Sequence, residues 1–120
     1  MLKWILALFP ALAGAQTGIK HLDAAAFGQA LAQNPQAVVL DVRSPSEYAG
    51  GHIPKARNLD VNASSFASQV ASLPRNAPCY VYCLGGVRSV RAAQQMVKMG
   101  FTQVYNLSGG ISSWRGAVVK

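Results

Sequence analysis

Apolar residues come in short runs separated by Gly, Pro, Asn and Asp, and their period changes along the chain. Ile19-Lys20-His21-Leu22 reads as a short strand. Asp23 is placed to cap a helix over residues 24–32, with Phe27 and Leu31 on one face, and Asn34-Pro35 ends it. Residues 37–42, AVVLDV, are a near-continuous apolar run closing on Asp41, the pattern of a strand covered on both faces. Ser44-Pro45-Ser46-Glu47 predicts a helix start, with Ser44 as cap, Pro45 in the first turn and Glu47 three residues after the cap.

Gly50-Gly51-His52-Ile53-Pro54 reads as a turn and residues 57–59 as a short strand. Phe66, Val70 and Leu73 share a helical face within residues 64–73. A second central strand is expected over Cys79-Tyr80-Val81-Tyr82-Cys83, with the two tyrosines on the face opposite Cys79, Val81 and Cys83. A glycine loop follows, then a helix over 88–99 stopped by Gly100. Residues 104–107 are the last strand, and Gly109-Gly110 opens a terminal helix carrying Ile111 and Trp114. Strands alternating with helices predict a three-layer α/β domain around a mostly parallel central sheet.

The first fifteen residues, MLKWILALFPALAGA, follow a different logic. One cation, an apolar run and a small-x-small ending are the layout of a secretory signal, and the run is too short to span a bilayer. The expected organisation is a signal peptide over 1–15 and one domain over 16–120. Localisation is expected to be outside the cytoplasm, in the periplasm if the source is a Gram-negative bacterium. No stable membrane association is expected once the signal is cleaved. With 120 residues there is room for one core, and 51% hydrophobic against 12% charged residues excludes a disordered chain. The formal charge of +7 favours small anionic partners. Its cations are scattered without an aromatic platform between them, which argues against nucleic acid.

The candidate chemistry sits where the second central strand gives way to the following helix. In parallel sheets, ligands collect beyond the carboxyl ends of the strands. Cys83 ends such a strand, and Leu84-Gly85-Gly86-Val87 leads into a helix that opens with Arg88 and Ser89. Two glycines let the backbone curl so that several N–H groups face one small bowl, and the helix start adds more. A thiol over that bowl, with Arg88 close by and Arg91 one turn on, should ionise below the free-cysteine value. The residue types alone leave two readings open, a thiolate nucleophile or a buried structural cysteine.

Cys83-Leu84-Gly85-Gly86-Val87-Arg88-Ser89 resembles the C-x-x-G-x-R-S loop of the rhodanese-like sulfurtransferases. Asp41-Val42-Arg43, Glu47-Tyr48, Gly51-His52-Ile53-Pro54 and Ala56-Arg57-Asn58-Leu59 resemble that family's upstream segment. Leu107-Ser108-Gly109-Gly110-Ile111 with Trp114 resembles its C-terminal one, and the exported single-domain format is similar to the periplasmic rhodaneses. The resemblance implies a persulfide relay on Cys83, from thiosulfate to cyanide or a thiol. Leu84, Gly85, Gly86, Val87, Arg88 and Ser89 would form the substrate loop. It implies no cofactor and no metal, and a monomer is expected. Arg88 would either hold the sulfonate end or brace the loop. Alternatives on the same fold are a cysteine phosphatase or arsenate reductase, or a persulfide carrier without turnover. Phosphatases of this kind place five residues between Cys and Arg, whereas four separate Cys83 from Arg88. Leu84 departs from the polar or basic residue many relatives carry there, pointing to a hydrophobic acceptor or a docking protein.

Other candidates are assigned to structure. Cys79 and Cys83 would lie ~13 Å apart along a strand, beyond the ~7 Å Cα separation a disulfide tolerates, so Cys79 is expected to be a packing residue. Arg43 and Glu47, four apart across a helix start, are expected to form an ion pair. Asp41 is expected to brace the loop after its strand, and His52 to hydrogen-bond within its turn. His21, His52, Cys79 and Cys83 lack the compact spacing of a metal site.

Overall fold

A computed structural model describes residues 18–120; the expected signal at 1–15 lies outside the described residues. The elements run β1 (Ile19–Leu22), α1 (Ala24–Gln33), β2 (Val38–Asp41), α2 (Pro45–Ala49), β3 (Arg57–Asn58), α3 (Phe66–Ala71), β4 (Cys79–Tyr82), α4 (Val87–Lys98) and β5 (Val104–Leu107). A 3-10 turn, Ile111–Ser113, follows. The five strands form one sheet in the order β1-β5-β4-β2-β3, and every pairing is parallel.

Local sequence accounts for most of the boundaries. The Asp23 side chain accepts the Ala26 N–H at 2.8 Å and starts α1. Ser44 and Glu47 form the reciprocal capping box that starts α2, with Pro45 in its first turn. The end of the chain departs from expectation. Only three residues after Gly110 are helical, and Trp114 is already extended at φ −72°, ψ 133°. The indole packs edge-on against Phe27, with ring centroids 6.1 Å apart, and its Nε1–H donates to the Ala117 carbonyl. A continued helix would carry the ring away from this seat.

Alternation along β4 divides the core. Cys79, Val81 and Cys83 face α3 and α4, packing with Leu40, Phe66, Val70, Ala93 and Met96. Tyr80 and Tyr82 face the other way, towards Phe27 of α1, Ile53 and Leu107. The domain is therefore three-layered, with the sheet between two helical layers. β2 and β4 are neighbours, but the chain leaves them in opposite directions, to β3 on one side and β5 on the other. The loops after them diverge, and the crevice between is the place where a doubly wound sheet admits a ligand.

Candidate active site

Cys83 follows the last residue of β4 at that crevice. Gly86, at φ +107°, takes the left-handed turn that brings the chain from the strand into α4, a conformation costly for any other residue. The turn aims the Gly86 N–H at the Cys83 sulfur, 3.1 Å away. The Ser89 hydroxyl, one turn into the helix, lies 3.3 Å from the same sulfur. Burial pushes the Cys83 thiol up, and hydrogen bonds from the Ser89 side chain and the Ser89, Gly86 and Gly85 amides outweigh it. The balance lies below the ordinary cysteine value. Cys79 has no such donors. Its sulfur lies 3.5 Å from the Ala77 carbonyl, and burial pushes its thiol up to about 11. Neither cysteine is bridged.

The C-terminal Gly-Gly segment holds the loop from beneath. The Ile111 N–H donates to the Cys83 carbonyl at 2.9 Å and the Ser112 N–H to the Leu84 carbonyl at 3.1 Å. Gly110, at φ +63°, lies so close under these carbonyls that no side chain fits there. Leu84 and Val87 are exposed on the outer side of the loop, with Val87 at 83%. The sulfur is more enclosed than the sequence suggests, since Cys83 is only 1% exposed. Space around Gly85 is open, with nothing within 4 Å of where its side chain would start.

The charged residues pair differently from expectation. Arg43 does not meet Glu47. Its guanidinium doubles back onto Asp41, with Nη2 to Oδ2 at 2.7 Å, and also donates to the Gly51 carbonyl. A β-strand end places residues two apart on one face, so Asp41 and Arg43 meet where the helical spacing to Glu47 cannot bring the pair together. Asp41 also accepts the Arg43 N–H at 3.0 Å, which is the loop-bracing role expected of it. Glu47 instead takes Arg88, with Nη1 to Oε1 at 2.8 Å and Nη2 to Oε2 at 3.0 Å. Arg91 donates to Asn62. His52 lies 2.9 Å from the Tyr48 carbonyl through Nδ1 and stacks on the Tyr48 ring, serving its turn.

Asn106 has no assignment from the sequence, and His21 only a rejected one as a metal ligand. Ser89 donates to Asn106 Oδ1 at 2.6 Å, and Asn106 Nδ2 lies 3.1 Å from His21 Nδ1. A buried Asn within an apolar strand was the available signal, because a buried amide needs partners. Two surface hollows lie at the opposite end of the sheet, against residues 18–20 with 102–105 and against 33–37 with 77–78. No cysteine, histidine or acid lines either of them.

Comparison with known proteins bears on this geometry. The family profile described as "Rhodanese-like domain" matches residues 23–117. The chain is 42% identical over 83 residues to the uncharacterized protein YqhL of Bacillus subtilis, covering 69% of this chain and 64% of that one. It is 42% identical over 88 residues to the thiosulfate sulfurtransferase GlpE of Pseudomonas entomophila, covering 72% and 79%. A crystal structure of a rhodanese-related protein from Thermoplasma volcanium superposes with a TM-score of 0.69 at 32% identity, covering 83% and 97%.

Proposed function

The chain belongs to the rhodanese-like family, and on that premise we propose that it is a thiosulfate sulfurtransferase working through Cys83. The Cys83 thiolate attacks the outer sulfur of thiosulfate. A sulfur–sulfur bond forms to Cys83, the sulfur–sulfonate bond breaks, and sulfite leaves with the bonding pair. The resulting persulfide anion hands its terminal sulfur to cyanide or a thiol and regenerates the thiolate.

The observation that carries this reading is the set of backbone N–H donors around one sulfur at the β2/β4 crevice, with the Ser89 hydroxyl in contact with the same atom. These donors favour the thiolate, and they are placed to favour a persulfide anion for the same reason. Arg88 is turned onto Glu47 and not into the bowl, so the loop carries no guanidinium poised for a phosphoryl group. That observation, with the short Cys83–Arg88 spacing, favours sulfur transfer over phosphate chemistry. It also supports loop bracing as the role of Arg88. Cys83 is nearly enclosed, and the open space around Gly85 is the side from which thiosulfate would reach its sulfur. Leu84 and Val87 then meet an acceptor with an apolar surface beside its thiol.

The test is turnover of thiosulfate with cyanide. Sulfite and thiocyanate should appear together and vanish in Cys83→Ser. Cleavage of a phosphate ester without sulfite release would overturn the reading. Export through residues 1–15 is part of the same proposal, and a secreted protein whose amino terminus is Met1 would contradict it.

A further inference from the structure

The bowl accounts for the amides around Cys83 but not for the polar chain leading away from it. Ser89 and Asn106 are buried, at 0% and 2% exposure, on the α4 side of the sheet. The chain of contacts runs from Cys83 Sγ to Ser89 Oγ at 3.3 Å and from Ser89 Oγ to Asn106 Oδ1 at 2.6 Å. It ends with Asn106 Nδ2 and His21 Nδ1 at 3.1 Å. His21 lies on edge strand β1, in register with Asn106, and is exposed. A titratable ring in solvent is thus joined to an enclosed sulfur by two side chains.

We propose that His21 is a positioning residue for Cys83, deciding through the Asn106 amide whether the Ser89 hydroxyl donates to the sulfur. The argument is a count of protons. With neutral His21 accepting at Nδ1, Asn106 donates Nδ2–H to the ring and presents Oδ1 to Ser89. The single Ser89 proton is then taken by Oδ1, at 2.6 Å, ahead of the Gly86 carbonyl at 3.2 Å, and the hydroxyl faces Cys83 as an acceptor, which suits a thiol. When His21 carries a proton on Nδ1, two donors face each other and the amide must turn over. Nδ2–H then donates to Ser89 Oγ, and the hydroxyl proton is released to the sulfur, which suits a thiolate or a persulfide anion. Buried polar chains of this kind couple because each member has a fixed donor count.

Few other charges can imitate this. On β1 and its exit, Lys20 lies on the opposite face and Asp23 caps α1. α1 carries no charged residue, and β5 carries only Tyr105, which stacks on Tyr80 across the sheet. On α4, Arg88 and Arg91 are held by Glu47 and Asn62, and Lys98 lies in the last turn.

The proposal rests on Cys83 being the reactive thiol, and its test needs no thiosulfate. The rate of iodoacetamide alkylation, assigned to Cys83 by peptide mass, is followed against pH. Towards the acid end of the profile His21→Ala should react about three- to tenfold more slowly than the native protein, the worth of one hydrogen bond. The difference should shrink as the pH is raised. In a Ser89→Ala background, His21→Ala should change nothing. Identical profiles for native protein and His21→Ala would overturn the proposal, as would an undiminished effect without the Ser89 hydroxyl. If Ser89→Ala does not fold, the link is read in reverse by NMR. The His21 titration should move in Cys83→Ala, and an unmoved titration would overturn the proposal. Coupling without sulfur uptake from thiosulfate would count against the sulfurtransferase reading alone.

Discussion

The Glu47 carboxylate grips the Arg88 guanidinium with both oxygens, at 2.8 and 3.0 Å, across 41 positions of chain. The contact ties the start of α2 to the start of α4, and so the loop after β2 to the loop after β4. If Arg88 acts through this tie, Glu47→Gln and Arg88→Ala should lower thiosulfate turnover by similar amounts, between about ten- and hundredfold. The double variant should be no worse than either alone. An arginine that held the anion would behave differently, since Glu47→Gln would then spare turnover. Both side chains are partly exposed, so neither change should cost more than about 1 kcal/mol of stability.

The same pair sets an acid dependence. Arg88 holds the Glu47 carboxyl down from an ordinary 4.5 to about 2. A group whose folded value lies below its unfolded one stabilises the fold above the unfolded value, and that contribution fades as pH falls through the folded one. The melting temperature of the native protein should therefore fall between about pH 4.5 and 2 by more than that of Glu47→Gln. Equal slopes in that window would show that the pair is not formed in solution.

Asp41 and Arg43 form the enclosed counterpart, at 0% and 5% exposure. Removing the Asp41 charge leaves the Arg43 guanidinium buried, with the Gly51 carbonyl and the Tyr82 ring beneath it. Asp41→Ala should cost about 3–5 kcal/mol in urea unfolding, well above any change at Glu47.

These two pairs show what the residue pattern could and could not convey. Caps at Asp23 and Ser44, the two-faced alternation of β4 and the glycine turn after Cys83 are local, and local chemistry fixes them. Arg43 had two acids within reach along the chain, Asp41 and Glu47. Choosing between them required knowing how the chain leaves β2 at Asp41, where the Arg43 guanidinium folds back onto the residue two before it and not onward to the one four ahead. Arg88 and Glu47 meet only because β2 and β4 are neighbours in the sheet. The terminal turn read as a helix because Ile111 and Trp114 have helical spacing, but the seat beside Phe27 claims the indole. Asn106 and His21 are 85 positions apart and meet through strand register, which no short-range pattern contains.

Gly110 gives a backbone test of the loop support. A methyl group there would strike the carbonyls of Cys83 and Leu84, at a φ of +63° that side chains avoid. Gly110→Ala should therefore destabilise the fold by at least about 2 kcal/mol and abolish turnover, because the chain cannot keep both the turn and the loop carbonyls in place. Gly85→Ala, with open space around it, should leave the melting temperature within a degree or two. A variant at Gly110 as stable as that one would mean the C-terminal segment does not hold the loop.

The most direct measurement is the mass of the intact protein after incubation with thiosulfate and removal of excess donor. The account predicts a gain of one sulfur atom, about 32 Da, that is reversed by cyanide and absent in Cys83→Ala. An unchanged mass, or a gain that persists without Cys83, would contradict it.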